Sequence, residues 1–237
     1  MPFFKHLLLG FLFLLHYATS WAQNADSLRV NFQQTKQPFA SWWRVDAVEM
    51  GGTVGKMLVT DQYQRAWTQQ TDLSAIVLTL RHRTTTDSID AFAHDYNHPS
   101  WGLSLQWTDL SRVKMQKMAS PWWGQLQPVD YASHPGHIFA VAGTFSRPFQ
   151  HFGWGEWGYS LEEGVAFNTR PYNKGNNADN ELTGSPLLFH FGASLYGEVR
   201  LNSRISLRAD LAFRHVSNGA THRPNKGANM LQPTLAL

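Results

Sequence analysis

Cysteine is absent from the 237-residue chain. That excludes a disulfide scaffold, a Cys-ligated zinc site and a thiol nucleophile. Charge is scarce too. Asp, Glu, Lys and Arg make up 16% of the residues, against roughly a quarter in an average soluble domain. With 43% hydrophobic residues, the chain does not have a disordered composition. The 20 Lys and Arg are scattered and the net charge is +3. Without a basic run there is no footprint for nucleic acid. Downstream of the N-terminus no apolar run reaches the ~18 residues of a transmembrane helix. The mean hydropathy of −0.34 likewise argues against a helical membrane protein. It does not argue against a membrane barrel, whose strands are apolar only at every second residue.

What is present begins with an export signal. Lys5 and His6 form a short basic segment, and Leu7 to Leu15 is apolar. Such a stretch is too short to span a bilayer as a helix. Ser20-Trp21-Ala22 places small residues at the −3 and −1 positions of a cleavage site. The expected division is a signal peptide over 1–22, a periplasmic lead-in over 23–44 and a barrel domain over 45–237.

The period along the mature chain is two. From Arg204 to Asn218, Ile205, Leu207, Ala209, Leu211 and Phe213 share one face, while Arg204, Ser206, Arg208, Asp210 and Arg214 share the other. The preceding run alternates in the same way, with Phe189, Phe191, Ala193, Leu195, Val199 and Leu201 on one side. Similar runs recur upstream. The spacing predicts eight strands, over 45–58, 73–83, 100–108, 136–148, 157–169, 187–202, 204–218 and 228–237. No amphipathic helix of ordinary length interrupts them.

Eight antiparallel strands suit a soluble barrel, apolar inside, or a membrane barrel, apolar outside. Alternation alone does not separate the two, and a soluble calyx holding a small apolar ligand fits the same pattern. Three features favour the membrane barrel. Polar faces carry both signs, Glu198 and Asp210 against Arg200, Arg204 and Arg208, as a narrow lumen can pair. The opposite faces of the 187–202 and 204–218 strands are rows dominated by Leu, Phe, Val and Ile. Trp101, Trp107, Trp154, Trp157, Tyr159 and Tyr172 gather near strand ends, as an aromatic girdle does. Connection lengths agree: short turns after the fourth and sixth expected strands, long loops after the third and fifth. The connection over 84–99 is longer than an inner turn should be, and Glu163 interrupts an apolar row as a register change would.

His215 and Ser217 continue the apolar row of the 204–218 strand. Polar residues there suit a strand leaving the bilayer. They also sit side by side on one face, as an activated serine nucleophile and its base require. Asn229 opens the next strand on the same face, so a third polar group can approach His215.

The segment from His215 to Asn229, HVSNGATHRPNKGAN, resembles the signature of the PagL-type lipid A 3-O-deacylases and related bacterial acyloxyacyl hydrolases. That signature is His-x-Ser-Asn-Ala/Gly, a few residues, then Pro-Asn-x-Gly-x-Glu or Asn. It is matched here by His215, Ser217, Asn218, Gly219, Pro224, Asn225, Gly227 and Asn229. The resemblance implies an eight-stranded antiparallel outer-membrane β-barrel with its active site on the lipid-facing wall. It implies Ser217 as nucleophile, His215 as base and Asn229 as third member. It places Asn225 at an oxyanion hole, with Asn218 and Gly219 beside it. The implied substrate is lipid A of lipopolysaccharide in the outer leaflet, with no metal or organic cofactor. Outer-membrane lipids are the other expected partners, and a homodimer is admissible. Arg214, Arg223 and Lys226 are candidates to meet substrate phosphates, or serve as ordinary interface cations.

Two departures bear on this. The characterised enzymes carry Glu where this chain has Asn229. An Asn oxygen can hold the imidazole N–H, but it stabilises an imidazolium less than a carboxylate does. A barrel that keeps the motif without activity is therefore a second expectation. The chain also ends at Leu237 without the terminal aromatic residue usual in such barrels, which suggests a fragment or a short form.

Overall fold

Alternating strands leave unpaired edges unless the sheet closes on itself, and here it closes. In the computed structural model the described residues are 44–84 and 91–237. The expected signal peptide and nearly all of the expected lead-in lie outside them. The elements are β1 (Ala47–Leu58), α1 (Gln62–Trp67), β2 (Thr68–Gln70), β3 (Asp72–Arg83), α2 (Ala91–Asp95), β4 (Ser100–Asp109), β5 (Lys114–Met115), β6 (His137–Phe152), β7 (Gly155–Asn168), β8 (Leu187–Arg200), β9 (Ser206–Ser217) and β10 (Ala228–Ala236). Eight of the strands form a closed antiparallel barrel in the order β1-β10-β9-β8-β7-β6-β4-β3. Each expected strand overlies one of these. The largest shift is in β6, which runs on to Phe152. The ribbon of β2 with β5 and the two short helices carry too few residues for a legible period.

The faces are sorted as a membrane barrel requires. Phe189, Leu195 and Leu211 on the outer wall are 61%, 58% and 54% exposed. Arg208 and Arg214, which face the lumen, are 4% and 3% exposed. A soluble calyx would show the reverse. The buried charges are compensated by partners within the lumen, on the same strand or across it. Arg208 donates to Asp210 at 2.8 Å, and Glu198 accepts from Arg81 at 3.1 Å and from Arg83. Arg81 also reaches Glu49. Higher in the lumen Arg214 grips Glu162 with two bonds, 2.7 and 2.9 Å, and His190 lies 3.0 Å from the same carboxylate. Gly192 gives that carboxylate room, since a Cβ there would stand 2.8 Å from its Oε2. Arg200 and Arg204, expected among the lumen pairs, are instead exposed. Arg200 ends β8 and Arg204 lies in the 201–205 turn.

The two ends of the barrel differ. One carries the 153–154 and 201–205 turns and the 84–99 connection. The other carries the long connections 59–71, 110–136, 169–186 and 218–227. Beneath these loops an apolar cluster closes the lumen. Inward residues Met57, Leu73, Ile138, Leu188, Val216 and Met230 pack with Trp67, Leu110, Val113, Met115 and Leu182 from the loops. Burial of each large side chain contributes about 1.5–3 kcal/mol. This plug therefore holds the loops down on the strand ends. The length of 84–99 also has a physical reason. Asn97 donates to the carbonyl of Pro148, and Arg147 lies over the Tyr96 ring at 5.4 Å. Tyr96 and Asn97 thus lie against β6. Glu163 marks no register change. β7 stays in step with both neighbours there, pairing Glu163 with Gly143 and with Phe191, and the carboxylate lies on the outer wall.

Candidate active site

The site is built on the β9–β10 hairpin at the long-loop end. Phe213, His215 and Ser217 lie on the outer wall, while Arg214 and Val216 between them are buried. His215 stands directly opposite Asn229 in the ladder. Their side chains meet at 2.8 Å, His215 Nδ1 against Asn229 Oδ1. An amide oxygen only accepts, so this bond places the ring proton on Nδ1 and leaves Nε2 with a free lone pair. Ser217 follows two residues on along the same face, beside Phe189 of β8. Residues so spaced repeat at about 6.6 Å along a strand, within reach of one another's side chains.

The other edge of the imidazole is set by Gly227. A Cβ at that position would lie 2.5 Å from His215 Cε1 and 3.1 Å from Nε2. Its φ of +70° also favours glycine. Gly227→Ala is expected to displace the ring and lower kcat about 100-fold, with the barrel's heat-modifiable gel mobility unchanged. Steady-state kinetics on the refolded variant checks this.

The loop over 218–227 is organised from within. Gly219 and Ala220 both have positive φ, +61° and +62°, and Thr221 N–H closes the turn onto the Asn218 carbonyl at 3.2 Å. Asn218 is buried. Its backbone N–H donates to Asn225 Oδ1 at 2.9 Å and its Nδ2 to the His222 carbonyl at 2.9 Å. The Asn218 amide, expected beside the oxyanion hole, is thus already spent inside the loop. It orients Asn225, whose Nδ2 is left to donate elsewhere.

The three expected phosphate contacts separate. Arg214 is inside the lumen on Glu162 and Gln232, so no headgroup on the outer wall can meet it. Its even parity in the strand already carried that signal. Lys226 Nζ is held by Asp61 at 2.7 Å and Glu181 at 3.0 Å, near the Tyr63 ring. The hydrogen bond from Lys226 holds the Asp61 carboxyl below its ordinary range. Partial burial pulls the Lys226 ammonium down, but its bonds to Asp61 and Glu181 outweigh this and leave it above its ordinary value. Arg223 is exposed on the loop. Among the described residues no group of three or more His, Asp or Glu has the arrangement of a metal site.

A family model described as lipid A 3-O-deacylase (PagL) matches residues 76–237, from β3 through β10. The chain belongs to the PagL family. The stretch that matches holds the whole His215–Asn229 motif and seven of the eight barrel strands at least in part. Among solved structures, the outer membrane enzyme PagL is similar at 13% identity and a TM-score of 0.48, over 80% of this chain and 98% of that one. The Yersinia pestis outer membrane protein Ail is similar at 11% identity and a TM-score of 0.35, over 81% of this chain and all of that one. No curated protein sequence matches the chain. PagL membership places an ester hydrolase on this barrel at the level of the family. It says nothing of Gly227 as the floor under His215 or of the pairing of Lys226. Those depend on loops that meet only in the folded chain.

Proposed function

We propose that the chain is a serine esterase of the outer membrane that hydrolyses an ester-linked acyl chain at the 3-position of lipid A. The observation that carries this reading is the His215–Asn229 bond beside Ser217 on the apolar outer wall. A membrane lipid meets that wall with its acyl chains against Phe189, Phe191, Phe213 and Leu231 and its sugar level with the loops. In this reading the signal over 1–22 exports the chain, and the long-loop end faces the cell exterior.

The chemistry follows from the atoms present. His215 Nε2 takes the proton of Ser217 Oγ as the oxygen attacks the ester carbonyl. Asn229 Oδ1 keeps the ring in the required tautomer and bonds the imidazolium that forms. The oxyanion is met by donors at the turn, Asn225 Nδ2 and the Gly219 N–H. Collapse returns the proton from His215 to the departing sugar oxygen and leaves the acyl group on Ser217. Water, deprotonated by the same imidazole, then releases the fatty acid. In this reading exposed Arg223 is the one of the three cations that meets a substrate phosphate.

Mass spectrometry of lipid A from cells expressing the wild type and Ser217→Ala tests this. The wild type should show species lighter by one acyl chain, and Ser217→Ala should match the empty vector. Matching profiles in all three would overturn the assignment. Asn229 alone favours a second reading, a barrel of the same fold kept for a structural role.

A further inference from the structure

We propose that Lys226 is a positioning residue that clamps the active-site loop to two other loops and so sets the geometry at His215 and Asn225. The proposal rests on the esterase reading above. Lys226 lies at an unspecified position of the motif, between Asn225 and Gly227. Those two residues carry a candidate oxyanion donor and the floor of the imidazole. Its ammonium is drawn away from the reacting face by two carboxylates on separate loops. One is Asp61, which also caps the start of α1 by accepting from the N–H groups of Tyr63 and Gln64. The other is Glu181 of the 169–186 loop.

The backbone repeats the contact. Lys226 N–H donates to the Glu181 carbonyl at 3.1 Å, and Gly227 N–H donates to the Leu182 carbonyl at 2.8 Å. Leu182 in turn is fully buried in the plug under the loops. Gly184 comes so close to the Arg223–Pro224 backbone that a Cβ would stand 2.6 Å from the Pro224 carbonyl oxygen. The 218–227 loop is therefore pressed on one side against 169–186 and tied on the other to α1. Among the described residues the ammonium is what joins all three segments. Small displacements of this loop move Gly227 under the ring and Asn225 against the Asn218 N–H together. That predicts an effect on the chemical step with little effect on binding.

The test uses the full chain refolded in lipid vesicles, with Lys226→Met, Lys226→Arg and the double variant Asp61→Asn with Glu181→Gln. The double variant keeps the helix cap, because Asn caps as Asp does. Steady-state kinetics on lipid A are read with hydrogen exchange over 218–227. Lys226→Met and the double variant should each lower kcat about 10- to 100-fold, with KM within about threefold and faster exchange over 218–227. Lys226→Arg should recover most of the wild-type kcat and protection. Unchanged kcat in Lys226→Met overturns the proposal, as does a rise in KM with kcat intact, which would make Lys226 a substrate contact. If the wild type itself shows no hydrolysis, the esterase reading fails separately. The clamp then stands or falls on whether Lys226→Met loosens the loop.

Discussion

His215→Ala should lower kcat for lipid A deacylation by about 10⁴-fold or more, the loss seen when the base of a serine triad is removed. The imidazole is held on three sides: Asn229 at Nδ1, Gly227 beneath Cε1 and Nε2, and the β9 backbone behind. With Nδ1 held by Asn229, Nε2 is the ring nitrogen left to act. KM should change little, because in the proposed mechanism the ring meets the reacting atoms and not the acyl chain or phosphates. Asn229 refines this expectation. Asn229→Ala should release the ring tautomer and lower kcat. Asn229→Glu should raise kcat, since a charge-assisted bond is about twice as strong as a neutral one. Kinetics on the four proteins at one pH decide the matter. Wild-type kcat in His215→Ala would exclude it as the base. A fall in Asn229→Glu would show that the site is built around the amide.

Arg214→Ala should destabilise the barrel by about 3–5 kcal/mol, because it strands the Glu162 carboxylate in the lumen. Glu162 accepts two bonds from Arg214, and among the described residues its other side-chain partner is His190. Replacing both partners, Arg214→Met with Glu162→Leu, should recover most of the loss, since an apolar pair leaves no orphaned charge. Urea unfolding from lipid vesicles measures all three proteins. The same variant separates two roles for Arg214. A lumen strut loses stability with KM unchanged. A phosphate contact would raise KM and leave the unfolding midpoint alone. The position of Arg214 between two outward residues, Phe213 and His215, selects the first.

Much of the fold was legible because strand parity is a local property. The rows Leu207–Phe213 and Phe189–Leu201 alternate in sequence and therefore in space. The hairpin from β9 to β10 followed from the same rows, and so did the shared face of His215, Ser217 and Asn229. Parity also placed Arg214 with Arg208 on the lumen side, against its assignment to phosphate. The short ribbon of β2 and β5 was not legible. Its three and two residues hold no period, and they pair across 43 or more intervening positions. The partners of Glu198 were misjudged for a similar reason. They come from Arg81 and Arg83 on β3, not from Arg200 and Arg204 nearby in sequence.

Cysteine's absence, the two-residue period and the spacing from His215 to Asn229 were enough to indicate a barrel, a candidate serine and the strand that bears it. Each depends on neighbours along one strand or across one turn. Which face looked outward, which cations were free and what held the catalytic loop depended on closure. Only when β1 meets both β3 and β10 do Asp61, Glu181 and Lys226 come together. Only then do Arg214 and Glu162 share one lumen. Ion pairs and loop contacts of this kind join residues far apart in the chain, and sequence order does not encode their distance.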